Sequence, residues 1–109
     1  MAQFDVHRNI GKQREAIPFV VIVQSSLFDH YRRRVVIPLV RRSTLDNAAS
    51  LVGASLNPVF TIKGIKVVLH PLETVSVATD QLGEKVATLA EEGDRITAAM
   101  DELLTRAWK

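Results

Sequence analysis

The stretch Asp29-His30-Tyr31-Arg32-Arg33-Arg34 gathers side-chain types that could act on RNA. A histidine beside a carboxylate can move protons, and arginines can stabilise the charge that develops on a phosphate. An aromatic next to a basic cluster is equally a patch that touches phosphates without reacting with them. Successive strand residues point to opposite faces, so three adjacent arginines cannot all face one way and the patch is narrower than its composition suggests. His30 reads just as well as a solvated loop histidine.

Beyond this stretch the chemistry thins out. His7, His30 and His70 fall in different expected elements, with no pair at metal-ligand spacing and no acid where a helical zinc site would need one. There is no G-x-x-x-x-G-K-[ST] phosphate loop, no G-x-G-x-x-G and no G-x-S-x-G elbow. The chain has no cysteine, which excludes disulfides, thiolate metal sites and a cysteine nucleophile. No metal or other cofactor is expected, and these residues give no positive evidence for catalysis.

The elements that position any binding surface must come from one core, since 109 residues fit a single domain spanning 1–109. With 47% hydrophobic and 24% charged residues, the chain has the composition of a folded globular protein. No run of about 18 apolar residues exists, and Asp5, His7 and Arg8 interrupt the N-terminus, so neither a membrane span nor a secretory leader is expected and the reading is cytoplasmic. The formal charge of +2 is unevenly spread. Residues 1–42 carry eight Lys/Arg against three acids, whereas residues 80–109 carry seven acids against four bases. Such asymmetry steers an anionic partner to one face, although a solvated surface without a partner can look the same.

Short β-branched runs dominate the first two-thirds. Ile17–Val23 is apolar on both faces and should be a central strand. Residues 34–40 form another, whose end Pro38 assigns to an edge or a bend because it cannot donate to a ladder. Strands over 57–62 and 65–70 flank Lys63-Gly64, a two-residue hairpin turn. Alternation of Thr74 and Ser76 with Val75 and Val77 suggests a further half-buried strand, and Phe4 and Val6 begin the sheet. Residues 43–56 stay open between a loop and a short helix capped by Ser43 or Thr44. After Gly83, Val86, Leu89, Gly93, Ile96, Met100, Leu103 and Ala107 recur at spacings of three and four, which predicts a long C-terminal helix. Glu91–Arg95 and Glu102–Arg106 have the spacing of stabilising acid-before-base pairs, and Gly93 marks a kink or a close contact. The fold class is mostly β, a barrel or sandwich with a helix at its side.

At Gln24-Ser25, and again over Arg33-Arg34-Val35-Val36-Ile37-Pro38-Leu39, the chain resembles CcdB, the toxin of the CcdA–CcdB addiction family. The opening up to Gln3-Phe4, the run Val21–Ser25 followed by Leu27-Phe28 and Asp29, and the stretch from Val75-Ser76-Val77 through Gly83-Glu84, Val86-Ala87 and Leu89 to Asp94-Arg95-Ile96 extend the likeness over nearly the whole chain. Residues 7–16 and 40–72 are gaps in it. The resemblance implies an SH3-like barrel of the kind that CcdB and MazF toxins share, a homodimer, and poisoning of the DNA gyrase A subunit by trapping its cleaved DNA complex. It also implies neutralisation by a CcdA-like antitoxin with a disordered tail, and contact with operator DNA only through the toxin–antitoxin complex that represses the operon.

Carried over by position, the implied gyrase-binding residues are Ser25, Leu27 and Phe28, then Asp101, Thr105, Ala107 and Trp108. Asp101 stands where asparagine is usual, and a gapless alignment of the helix puts the family's tryptophan at Thr105. Trp108 comes three residues later, about 4.5 Å further along a helix axis, so it would meet different partner groups. Two other readings accompany this one: an RNA-cleaving toxin of the MazF type, using His30 and the three arginines, and a non-toxic homologue kept for antitoxin binding or regulation. If Trp108 anchors the partner, Trp108→Ala abolishes gyrase inhibition and leaves fold and antitoxin binding nearly intact. If it only packs back on Leu104, the same change lowers the melting temperature and preserves activity. A gyrase DNA-cleavage assay run beside thermal melts separates the two outcomes.

Overall fold

The computed structural model describes residues 2–45 and 55–105, with Thr105 described in its backbone alone. Its order is β1 (Asp5–Asn9), β2 (Phe19–Ile22), β3 (Arg33–Arg41), β4 (Val59–Ile62), β5 (Ile65–Leu69), β6 (Val75–Ala78), β7 (Leu82–Thr88) and α1 (Gly93–Thr105), with short 3-10 turns between several of these. The strands form one antiparallel seven-stranded sheet in the order β4-β5-β3-β2-β1-β7, with β6 also paired to β3. The sheet curls into a half-barrel, and α1 packs into it. This is the SH3-like barrel with a C-terminal helix.

Strand β3 organises the sheet. One side pairs with β2, from Ile22↔Val36 to Phe19↔Leu39. The other side pairs first with β6, over Arg33–Val36, and then with β5, over Leu39–Arg41. Pro38 therefore lies inside a central strand, and the expected edge position is corrected. The backbone of His70 donates to the Pro38 carbonyl at 3.1 Å. Nitrogen and carbonyl of one strand residue point to the same side, so the missing N–H falls in the gap where β6 leaves and β5 begins. A proline is tolerated there because no partner requires its hydrogen.

The hairpin β4–β5 turns through Lys63 and Gly64, with φ of 53° and 79°. Two left-handed residues are what a tight type I′ turn requires. β6 departs from simple alternation: Val75 is 43% exposed, while Val77 and Ala78 are half-buried.

The helix begins later than its apolar spacing predicts. Val86 belongs to β7, which pairs with β1 through Asp5↔Thr88, Val6↔Ala87, His7↔Lys85 and Asn9↔Leu82, with register shifts on both sides of His7. The three-residue step from Val86 to Leu89 imitates a helix, but pairing with β1 satisfies this backbone and wins. Gly83 permits the approach: a Cβ there would lie 2.8 Å from the Arg8 carbonyl. Arg8–Glu84 at 2.7 Å and Lys85–Asp5 at 3.4 Å link the two strands further. With α1 starting at Gly93, the expected Glu91–Arg95 pair is replaced by Glu92–Arg95 at 2.7 Å. The partner expected for Glu102, Arg106, lies outside the described residues. From Gly93 to Leu103 the predicted stripe holds, with Ile96 at 1% exposure and Ala99 at 0% added to it, while Ala107, its last expected member, lies outside the described residues.

The core joins Val6, Phe19, Val21, Ile37, Leu39 and Leu69 of the sheet to Ile96 and Ala99 of the helix. Phe4 fixes the junction. Its N–H donates to the Ile22 carbonyl at 2.6 Å, and its carbonyl accepts from Leu89 N–H at 2.8 Å. These bonds hold Phe4 at φ 70°, and its ring rests against Gly93. A Cβ on Gly93 would lie 2.4 Å from that ring, which is the close contact the sequence marked. Gly93→Ala should therefore cost about 1–3 kcal/mol of overpacking, more than its gain in helix propensity of at most about 1 kcal/mol. A drop of several degrees in the thermal melt is expected, with a smaller drop when the change is made on a Phe4→Leu background.

Candidate functional site: the turn between β2 and β3 and its groove

Residues 24–32 leave the sheet between β2 and β3. Ser25 caps a 3-10 turn over Ser26–Phe28, its hydroxyl accepting from Leu27 N–H at 3.2 Å. Backbone bonds from Phe28 to Ser25, Asp29 to Ser26 and Tyr31 to Phe28, each 3.1 Å, continue it as a string of tight turns. These bonds turn apolar side chains outward. Leu27 is 79% exposed, Tyr31 57% and Phe28 49%. Phe28 stacks on Tyr31 at 6.1 Å between ring centroids, and His30 lies against Tyr31 at 4.4 Å.

Beside the turn an open groove of about 640 Å³ is lined by Ser25, Phe28 and Tyr31, with Val23 and Val35 of the neighbouring strands and Met100 of α1. Arg32 and Arg33 stand at its rim. The structure thus brings Ser25 and Phe28, from one end of the sequence, against the helix, from the other. Leu27 projects next to the groove. Asp101 follows Met100 on α1 and is exposed. Thr105 ends the helix, while Ala107 and Trp108 lie outside the described residues.

The three arginines have separate fates, as strand alternation requires. Arg33 bonds to Ser76 through Nε to the hydroxyl at 2.8 Å and a terminal nitrogen to the carbonyl at 2.7 Å. Arg34 is 6% exposed and donates to the carbonyls of Asp29, Tyr31 and Arg33 at 2.8, 2.6 and 2.9 Å. Arg32 alone carries no side-chain hydrogen bond or ion pair among the described residues. The set His30, Arg32, Arg33 and Arg34 therefore does not converge on one point where a phosphate could react.

A second surface is basic. Arg8, Arg14 and Arg41 line one shallow pocket, and Arg41, Arg42 and Lys66 line the next. The two share Arg41 and Ile65, so the positive charge is continuous. No group of three or more His, Asp or Glu able to hold a metal occurs among the described residues. No helix among them is long and apolar enough to cross a membrane.

A model of the CcdB protein family matches residues 3–105. The chain belongs to the CcdB family. It is accordingly the toxin-side member of a toxin–antitoxin pair. The fold is also similar to that of an endoribonuclease from a mycobacterial species, solved in complex with its cognate antitoxin, with a TM-score of 0.71 over 100% of this chain and 99% of that one. At 15% identity this likeness concerns the fold alone. Comparison with curated proteins gives no match.

The groove brings Ser25 and Phe28, which the family resemblance implicates, together with Tyr31 of the aromatic and basic patch and with Gln24 and Met100; sequence reasoning did not anticipate the part of Met100 or the inward role of Arg34. The signal for Arg34 was present: it is in phase with Val36, Pro38 and Val40, all buried. Because Leu27 and Phe28 face solvent, Leu27→Ala and Phe28→Ala should each change stability by less than about 0.5 kcal/mol in urea denaturation. Phe19→Ala, at a fully buried position, should cost about 3–5 kcal/mol in the same measurement.

Proposed function

We propose that this CcdB-family toxin acts by binding rather than by catalysis: as a homodimer it docks on the DNA gyrase A subunit through the turn after β2 and the end of α1, and holds the enzyme with its DNA cleaved. The observation that carries this reading is the groove in which Ser25 and Phe28 meet Met100, because the two segments that the family resemblance implicates form one apolar surface only once the chain has folded. Exposed aromatic and aliphatic side chains around a groove are what a protein partner's anchors require. Leu72 at 70% and Leu104 at 68% exposure add apolar surface suited to a second copy of the chain.

The antitoxin is CcdA-like, and its acidic disordered tail is drawn to the basic strip around Arg41. That attraction is screened by salt. Operator DNA is contacted through the toxin–antitoxin complex, which represses the operon. The commitment of Arg33 to Ser76 and of Arg34 to backbone carbonyls favours binding over RNA cleavage of the MazF type.

The purified toxin should stabilise gyrase-cleaved DNA while leaving cellular RNA intact. The Leu27→Ala/Phe28→Ala pair should lower cleavage-complex formation by at least about tenfold, the scale of losing a binding anchor. Degraded RNA, or gyrase left unpoisoned by the parent protein, would overturn the reading.

A further inference from the structure

The turn that carries Leu27 and Phe28 has no ladder partner of its own, yet its carbonyls at Phe28, Asp29 and Tyr31 are taken by two side chains. The Gln24 amide nitrogen donates to the carbonyls of Phe28 and Arg33, both at 3.3 Å. Its oxygen accepts from Val35 N–H at 3.1 Å, which fixes the amide to β3. The Arg34 guanidinium takes the carbonyls of Asp29, Tyr31 and Arg33, and its Nε stands 3.9 Å from the Asp29 carboxylate. Gln24 lies two residues past the end of β2 and Arg34 is the second residue of β3, so the two side chains grip the loop from both of its stems. Arg34 is buried and Gln24 is half-buried at the edge of the groove, while Leu27, Phe28 and Tyr31 point out.

We infer that Arg34 and Gln24 are positioning residues: Arg34 is buried, and Gln24, although it lines the groove, acts through its bonds to the loop, so that the two hold this loop in its binding conformation before the partner arrives. The inference rests on the assignment of the turn to gyrase binding. Its physical basis is the cost of ordering a loop on association, which is removed when the free protein has already ordered it. A charge-assisted hydrogen bond to a buried carbonyl is stronger than a neutral one. One guanidinium spanning three carbonyls does what the single point charge of a lysine cannot.

The test compares Gln24→Ala and Arg34→Lys with the parent. Amide hydrogen exchange is read at Phe28, Asp29 and Tyr31, and binding to the gyrase A subunit is read by association and dissociation rates. Faster exchange by about tenfold at these amides, together with an affinity loss of similar size, is the expected result. Apart from Val35, whose N–H loses its Gln24 acceptor, exchange elsewhere in β2 and β3 should stay at the parent rate in Gln24→Ala, which keeps the test valid if Arg34→Lys fails to fold. Unchanged exchange at the three amides overturns the inference. Affinity lost with exchange unchanged overturns it as well, since the two side chains would then be contacts. A parallel Phe28→Ala variant checks the site assignment: if that variant binds gyrase as the parent does, the assignment is what fails and exchange alone decides the clamp. If Phe28→Ala loses affinity, faster exchange with affinity retained in Gln24→Ala overturns the inference.

Discussion

The two-sided pairing of β3 is the constraint on which the rest of the structure depends. Nine residues serve three neighbouring strands, β2 along one side and β6 then β5 along the other. Every change of partner must happen where a backbone group can go without a bond, and Pro38 supplies that place. The curl follows, because β6 and β5 leave β3 in succession and draw the sheet around the helix. With Val36, Ile37 and Leu39 at 0–1% exposure, neither face of β3 tolerates a shift in register, since a one-residue slip would exchange two buried faces.

From that fixed strand the functional surface is built outward. β3 begins at Arg33, so the loop that precedes it springs from the most constrained part of the sheet. Binding residues on a loop are useful in proportion to the rigidity of what carries them. Here the stems are strands, the capping hydroxyl of Ser25 opens the first turn, and the helix supplies Met100 as the opposite wall. The basic strip lies at the other end of β3, around Arg41. One strand thus separates an apolar surface from a charged one, and the two suit partners of different chemistry.

Much of this was legible in the sequence where pattern and physics are local. The hairpin at Lys63-Gly64, the doubly apolar β2 and the helical stripe from Gly93 each depend on nearby residues, and each was found. The misreadings came from distant partners. Val86 and Leu89 fit a helix by spacing until β1, whose pairing no local pattern reveals, takes the segment as β7. Pro38 suggested an edge or a bend, and only the edge is corrected, because partner exchange within one strand has no sequence signature. At the candidate site, the family resemblance points to Leu27 and Phe28, whose exposure the structure gives, whereas Gln24 and Arg34 act through carbonyl groups, and carbonyls carry no side-chain identity. Thr105 is described in backbone alone, and Ala107 and Trp108 fall outside the described residues, so the structure adds nothing to that end of the site.

The closure of β1 on β7, sealed by Phe4 against Gly93, ties the order of synthesis to the moment of folding. β1 leaves the ribosome before the other strands of this sheet and finds its outer neighbour only when almost the last described segment has emerged, and such non-local closure is slow relative to local hairpins. A growing chain can form the β4–β5 hairpin early, but its barrel stays open, with one edge of β1 unpaired. The groove cannot exist before α1 brings in Met100. A truncated translation product would therefore lack the assembled surface even though it contains Leu27 and Phe28, and the interval before release gives a partner that recognises nascent or unclosed chain the first opportunity to meet it.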